Sequence, residues 1–178
     1  METGILCFHF DVCLRNFLKF NSNFPTDISN QSSDFNTDAP REIKVLTYNM
    51  FLRPPGVKNN ADDFKNERFQ AFLKEIENFD IVCLQEIFSL GNIRQRKLIR
   101  FCEQNGFPFH VRSSPPNSLS LAYKFVDAGL LIISRFPIVE RDRHIYTQGN
   151  QVDEWTSKQV IYAKIQLSRS NFLNVYVE

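Results

Sequence analysis

Three polar side chains end two apolar segments of this sequence. Asn49 ends a segment that begins at Ile43, and Gln85 and Glu86 end the segment that begins at Asp80. Sites in open α/β sheets form beyond the carboxyl ends of the strands, so these side chains are expected to face one crevice. Mg²⁺ prefers hard oxygen ligands and takes one or two carboxylates, with water and phosphate completing its shell. The residues alone thus indicate a candidate magnesium site at Glu86, although a solvated charge at a strand end fits the same pattern.

Composition limits the classes of protein to which the chain can belong. Its 178 residues suit one domain, and 43% hydrophobic residues are enough to build a core. A net charge of +1 argues against a protein that coats nucleic acid through overall basicity. No apolar run approaches the roughly 18 residues that a membrane span needs.

The cysteines and the N-terminus bear on the compartment. The four cysteines form no CxxC motif and are predicted to be reduced thiols. Glu2, His9 and Asp11 interrupt the apolar start of the chain, whereas a secretory signal needs an unbroken apolar stretch. These features favour an intracellular protein, cytoplasmic or peripheral to a membrane, over a secreted one.

The chain is predicted to divide at residue 41. Residues 1–40 read as an N-terminal extension, with a short helix on which Phe10, Leu14 and Phe17 recur, followed by a polar linker over residues 21–40. The ordered domain then spans residues 41–178.

Within residues 41–178 the pattern predicts two helices and several strands. Asp62 or Asp63 is expected to cap a helix that runs to about residue 78, and a second helix spans residues 92–104. The strands are expected at residues 43–49, 80–84, 107–111, 128–134 and 138–146, with a hairpin formed by residues 160–167 and 172–177. This order predicts an α/β fold with one mixed sheet and both helices on the same face.

Two pairs of motifs make the sequence recognisable. Residues 46–49 (LTYN) and 80–86 (DIVCLQE) resemble the endonuclease/exonuclease/phosphatase superfamily. Residues 51–56 (FLRPPG) and 127–138 (DAGLLIISRFPI) resemble its neutral sphingomyelinase-like branch. The resemblance covers residues 41–178 and implies the first half of a four-layered α/β sandwich, whose second sheet would be mostly missing.

The resemblance implies roles for four residues. Glu86 would bind the catalytic Mg²⁺, and Asn49 would hold the metal site and the scissile phosphate by hydrogen bonding. Asp127 would support the site from the start of the second motif, or simply cap a loop. Lys158 matches the Lys that precedes Gly in this branch, or is a solvated cation at a strand start.

The sequence departs from the family at three places. Ala128 replaces the first Gly of an Asp-Gly-Gly motif, and Gln159 replaces the Gly after Lys158; a position that needs positive φ would tolerate neither. The family's Thr-His, Asp-x-Asn and Ser-Asp-His motifs would follow Glu178, and His110 and His144 read as surface histidines. The 178-residue chain is therefore expected to hold a metal ligand without the base, and to be inactive alone.

Three functions remain open. The first is a Mg²⁺-dependent phosphodiesterase that cleaves sphingomyelin to ceramide and phosphocholine at a membrane surface, without a transmembrane helix. The second is a nuclease or deadenylase, for which a basic cluster at Arg94, Arg96, Lys97 and Arg100 could contact nucleic acid or simply be a solvated helix face. The third is a catalytically inactive fragment that acts as a binding module. The alternating apolar residues of 119–125 could contact a membrane or pack in the core.

Overall fold

The computed structural model describes residues 3–8, 42–53, 64–89, 93–113, 127–146 and 158–178. Their strands are β1 (Thr3–Phe8), β2 (Val45–Leu52), β3 (Ile81–Ile87), β4 (Phe109–Arg112), β5 (Leu131–Ser134), β6 (Ile138–Ile145), β7 (Gln159–Gln166) and β8 (Phe172–Val177). Two α-helices, α1 (Lys65–Glu75) and α2 (Arg94–Gln104), and a short 3-10 helix (Ile76–Asn78) complete the described elements. The α/β class is confirmed. None of these helices is long and apolar enough to cross a membrane.

The expected mixed sheet is confirmed, but it holds only four of the strands, and the expectation that it would be the single sheet of residues 41–178 was wrong because a second four-stranded sheet is present among the described residues. The first sheet has the order β2-β3-β5-β4, with β2 and β3 parallel and the other pairs antiparallel. The second has the order β1-β8-β7-β6, in which the β7–β8 hairpin is antiparallel, as expected, and β1 is parallel to β8. Alternation along β6 to β8 predicts strands but does not identify their sheet, because both sheets offer an apolar face.

Two apolar cores define three layers. Both helices pack on one face of the first sheet, as expected, through a core that includes Phe69, Phe72 and Leu98. The opposite face packs on the second sheet, where Cys83 and Ile132 meet Ala163 and other residues of β7 and β8. The first sheet is thus buried on both sides, which explains why the β3 segment is apolar at consecutive positions.

Several local expectations need correction or stay open. The residue before α1 is Phe64, in a left-handed conformation with no side-chain cap, rather than Asp62 or Asp63, which lie outside the described residues. The first residues of the chain form a strand at Thr3–Phe8, and the expected helix over residues 10–18 lies outside the described residues. The linker at residues 21–40, the loop at residues 54–56 and the alternating segment at residues 119–125 lie outside them as well.

Two of the cysteines lie in the cores as free thiols. Cys83 is buried between the two sheets, and Cys102 lies on the buried face of α2. Burial raises the pKa of each thiol to about 12. Both thiols are therefore protonated at neutral pH and serve as small apolar side chains.

Candidate active site

The parallel pair β2–β3 joins the two residues that the sequence singles out. Asn49 lies opposite Gln85 in the strand register, and the Asn49 Nδ2 donates a hydrogen bond to Glu86 Oε1 at 2.9 Å. Both residues lie near the carboxyl ends of their strands, where sites form in open α/β sheets. The expected proximity of Asn49 and Glu86 is confirmed.

The backbone at Glu86 departs from a regular strand. Its φ is +52°, in the left-handed region that residues with a side chain rarely adopt. Side chains of β3 alternate between the two cores up to Leu84, yet Ile87 lies in the helix-side core instead of between the sheets. The alternation thus shifts by one residue at Glu86, so its carboxylate meets Asn49 rather than entering the helix-side core.

A bulge in β2 faces this irregularity. Asn49 pairs with Gln85 and Leu52 with Ile87, so Met50 and Phe51 together oppose Glu86 alone. Phe51 also has a positive φ, of +48°, and its N–H donates to Asn49 Oδ1 at 3.0 Å. This bond fixes the orientation of the Asn49 amide, which leaves its Nδ2 directed at Glu86.

Helix α1 fastens the bulge to the rest of the domain. Arg68 donates to the carbonyl oxygen of Met50 at 2.6 Å and to that of Phe51 at 3.3 Å. The guanidinium is a charged donor, which binds a carbonyl oxygen more strongly than a neutral donor does. Packing of α1 on the sheet therefore also sets the geometry of the site.

Arg53 contacts the second oxygen of the Glu86 carboxylate. Its Nε lies 3.0 Å from Glu86 Oε2, and the side chains of Arg53 and Glu86 are 30% and 25% exposed. Arg53 is not among the site residues that the sequence predicts. The signal that could have found it is a cation placed four residues after Asn49, where β2 ends beside the carboxylate.

Gln85 supports the pair from the buried side. It is 7% exposed, and its Nε2 donates to the Thr47 hydroxyl at 3.1 Å. This bond joins β2 to β3 immediately beside the Asn49–Glu86 pair. The amide oxygen of Gln85 is buried and has no hydrogen-bond partner among the described residues.

Asp127 acts on the loop that follows β3. It is 1% exposed and accepts hydrogen bonds from the Ser89 N–H at 3.0 Å and from the Ser113 hydroxyl at 3.2 Å. It therefore anchors the chain after Glu86 to the end of β4. This placement matches the loop-capping alternative and also fixes the segment that leaves the site.

Lys158 lies in the other sheet layer. It is exposed immediately before β7, and its carbonyl oxygen accepts a hydrogen bond from the Tyr146 N–H at 3.0 Å. Its role in the site stays a prediction, as do the roles of Asn49, Asp127 and Glu86.

The departures at Ala128 and Gln159 cause no backbone strain, because neither residue has a positive φ. The positive φ falls on Gly129, at +65°, whose carbonyl oxygen accepts from the Ile87 N–H at 2.9 Å. A Cβ at Gly129 would lie 3.1 Å from Ile87 N and from Phe88. The motif thus keeps its glycine at the position beside β3 that needs one.

The side chains around Glu86 offer oxygen donors that suit Mg²⁺. The described residues contain no group of three or more His, Cys, Asp or Glu that could hold a metal. Magnesium does not need such a group, since it typically binds one or two carboxylates and keeps several waters. Glu86 supplies one partly exposed carboxylate and Asn49 one amide, so the residues fit a Mg²⁺ ion that is open to water and phosphate.

Comparisons with known proteins agree with this fold. The chain is 27% identical to a sphingomyelinase of Dictyostelium discoideum over 71% of its own length and 46% of that relative. It superposes on sphingomyelinase C from Streptomyces griseocarneus with a TM-score of 0.61 at 23% identity, covering 75% of this chain and 47% of that one. It superposes on a magnesium-bound mutant of beta toxin from Staphylococcus aureus with a TM-score of 0.60 at 21% identity, covering 75% and 48%.

The chain spans about half the length of these relatives. The model of the endonuclease/exonuclease/phosphatase family matches residues 46–169, a stretch that includes Asn49, Glu86, Asp127 and Lys158. The chain therefore belongs to the endonuclease/exonuclease/phosphatase family, and within it resembles the sphingomyelinase-like branch.

Proposed function

We propose that this chain is part of a Mg²⁺-dependent phosphodiesterase of the neutral sphingomyelinase type, which hydrolyses sphingomyelin to ceramide and phosphocholine. The observation that carries the proposal is the Asn49–Glu86 pair, formed where a left-handed residue of β3 faces a bulge of β2. Strained backbone of this kind clusters at active sites, where it orients a reactive group. The similarity to the sphingomyelinase of Dictyostelium discoideum supports the lipid substrate.

Glu86 would hold the cation through its carboxylate, and the magnesium-bound beta toxin mutant supports this choice of metal. A bound Mg²⁺ would offset the negative charge that the phosphate carries during hydrolysis. Asn49 uses one N–H of its amide for Glu86 Oε1. An amide carries two donors, so the second N–H of Asn49 can bind a phosphate oxygen.

Hydrolysis also needs a base that activates water. We propose that the base comes from the family segment that the resemblance places after Glu178. This division of labour leaves metal binding and phosphate orientation to β2 and β3. The catalytic test accordingly uses the open reading frame extended beyond Glu178.

A nuclease is the second candidate, and one observation favours it. Arg96, Lys97 and Arg100 are exposed on α2, where they could contact a nucleic-acid backbone. Arg94, the fourth member of the cluster, donates instead to Asn66 Oδ1 at 2.8 Å and thereby links α2 to α1. The cluster thus has a structural use as well as an exposed face.

The deciding experiment measures Mg²⁺-dependent turnover by the extended protein on sphingomyelin micelles and on single-stranded RNA and DNA. Sphingomyelin should be preferred, and Glu86→Gln should lower turnover at least about tenfold because the cation loses its carboxylate. Glu140→Gln is the matched control, since Glu140 is an exposed carboxylate of β6 that contacts Lys164 at 3.5 Å. It should leave turnover unchanged.

Two outcomes would reverse these assignments. If Glu86→Gln leaves the activity and its Mg²⁺ dependence unchanged, Glu86 is not the metal ligand. The substrate would be a nucleic acid if the extended protein preferred RNA or DNA and its turnover of them fell steeply with salt. The combined substitutions Arg96→Gln, Lys97→Gln and Arg100→Gln should then abolish that salt dependence.

A further inference from the structure

Arg53 occupies the carboxylate oxygen that a cation needs. Glu86 Oε1 accepts from Asn49 Nδ2 at 2.9 Å, and Glu86 Oε2 accepts from Arg53 Nε at 3.0 Å. Oxygen ligands lie roughly 2.1 Å from Mg²⁺, so an ion bound to Oε2 would be held at short range from the guanidinium that donates to the same oxygen. Arg53 and a cation are also like charges, which repel at short range. The two should therefore compete for Glu86.

The Arg53 side chain can leave Glu86 without moving the strand. The side chains of Arg53 and Glu86 are 30% and 25% exposed, and ion pairs that water can reach contribute little to stability. The backbone is held independently, because Lys65 Nζ donates to the Arg53 carbonyl oxygen at 3.4 Å and Arg68 fastens the bulge that precedes it. Residue 54 is a proline, which further restricts the Arg53 backbone to extended conformations.

The surroundings of the guanidinium keep it near the site after it leaves Glu86. Its Cζ lies over the ring of Phe51, 5.4 Å from the centroid, and Phe51 is 42% exposed. A guanidinium is attracted to an aromatic face and presents a planar fork of donors that suits phosphate oxygens. Arg53 is thus placed to bind an anion that enters beside Glu86 and Asn49.

We propose that Arg53 is a positioning residue with two partners. In the cation-free protein it holds Glu86 Oε2, and on binding of Mg²⁺ it yields this oxygen and donates to the phosphate group. This inference rests on the proposed function, because it assumes that Glu86 is the metal ligand. This exchange of partners keeps the affinity of Glu86 for Mg²⁺ low until a phosphate group is bound.

The experiment uses calorimetry on the 178-residue chain, with Mg²⁺ alone and with Mg²⁺ plus phosphocholine. Arg53→Met should bind Mg²⁺ alone about three- to tenfold more tightly, because the competing cation is gone. The same variant should lose the increase in Mg²⁺ affinity that phosphocholine produces in the wild type, because the anion loses its donor. Arg53→Lys should be intermediate on both counts. Arg169→Met, at an exposed arginine in the β7–β8 turn, is the matched control and should match the wild type.

A measurement without substitution guards against misfolded variants. Arg53 Nε–H donates to Glu86 Oε2, so its resonance should shift and exchange faster with solvent during a Mg²⁺ titration. A resonance that is unchanged at saturating Mg²⁺ overturns the proposal, and so does weaker or equal Mg²⁺ binding by Arg53→Met. Glu86→Gln separates the two hypotheses: if it retains wild-type Mg²⁺ affinity, the metal site itself is wrong. If it loses that affinity while Arg53→Met behaves as the wild type, only the role of Arg53 is wrong.

Discussion

At the scale of single residues, Glu86 combines a proposed function with a cost in stability. A left-handed backbone costs a residue with a Cβ about 1–2 kcal/mol, and Glu86 adopts it inside a strand. The hydrogen bonds from Asn49 and Arg53 and the packing of Ile87 hold it there. The cost is offset by tertiary structure, and the result is a carboxylate turned toward Asn49.

Two substitutions at Glu86 isolate this cost. Glu86→Gly and Glu86→Ala both remove the carboxylate, but only alanine keeps a Cβ in the left-handed region. The glycine variant should therefore be more stable than the alanine variant by about 1 kcal/mol. Urea denaturation of the two variants, compared at equal m-values, measures the difference.

The same pair of substitutions in a helix should give the opposite sign. Glu103 is an exposed residue of α2, where glycine is about 1 kcal/mol less favourable than alanine. Glu103→Ala should therefore be more stable than Glu103→Gly. If alanine is also the more stable substitution at Glu86, the left-handed strain at that position is not real.

The positions of the site residues are predictable from the sequence only where the end of a strand places them. Asn49 and Glu86 follow from two apolar segments and from the rule that parallel strands present their carboxyl ends at one edge. The positive φ of Glu86 does not follow, because it arises where the register shifts between β2 and β3. That shift is a property of two strands together and leaves no mark in either segment alone.

At the scale of elements, Arg135 joins the ends of three of them. It follows β5 directly, and its guanidinium donates to carbonyl oxygens that end the 3-10 helix and α2. These acceptors are those of Glu77, Phe79, Asn105 and Gly106, at 3.0–3.4 Å. The guanidinium also stacks on Phe107, 4.0 Å from the ring centroid. It thereby satisfies carbonyls that helix ends leave without partners.

Loss of this clamp should destabilise the whole domain. Arg135→Met should lower the free energy of unfolding by about 2 kcal/mol, because four carbonyl oxygens, two of them in partly buried hydrogen bonds, lose a charged donor at once. Arg135→Lys should recover only part of the loss, since an ammonium cannot reach all four acceptors. Urea denaturation measures both, with Arg96→Met on the exposed face of α2 as a control expected within about 0.5 kcal/mol of the wild type. A loss below about 0.5 kcal/mol in Arg135→Met would contradict the clamp.

The elements themselves were largely predictable from periodicity. Phe69, Phe72 and Ile76 recur at helical spacing and lie in the helix-side core, and Asn105-Gly106 ends α2 as expected. The start of α1 at Lys65 was not predictable from capping preferences. Phe64 occupies the cap in a left-handed conformation that such preferences do not favour.

At the scale of the whole molecule, the two ends of the chain meet in the second sheet. Strand β1 pairs with β8 over six residues, from Thr3 opposite Phe172 to Phe8 opposite Val177. Pairing between the first and last of the described strands joins segments that are far apart in the sequence, which no local sequence pattern can reveal. The sequence therefore predicts an extension over residues 1–40 and a domain over residues 41–178, and that division stays a prediction.

Removal of β1 tests the division directly. Without residues 1–9, β8 would become an edge strand with a row of unpaired N–H and C=O groups, a known template for aggregation. The chain of residues 10–178 should therefore melt about 5 °C below the full chain, the shift expected for a loss of roughly 2 kcal/mol at this size. It should also scatter more light on heating. The chain of residues 41–178 also lacks β1, so it should melt no higher than the chain of residues 10–178. Scanning calorimetry and light scattering on the three chains decide the matter. If residues 41–178 melt cooperatively at the temperature of the full chain, β1 adds nothing to the second sheet and the domain begins at residue 41.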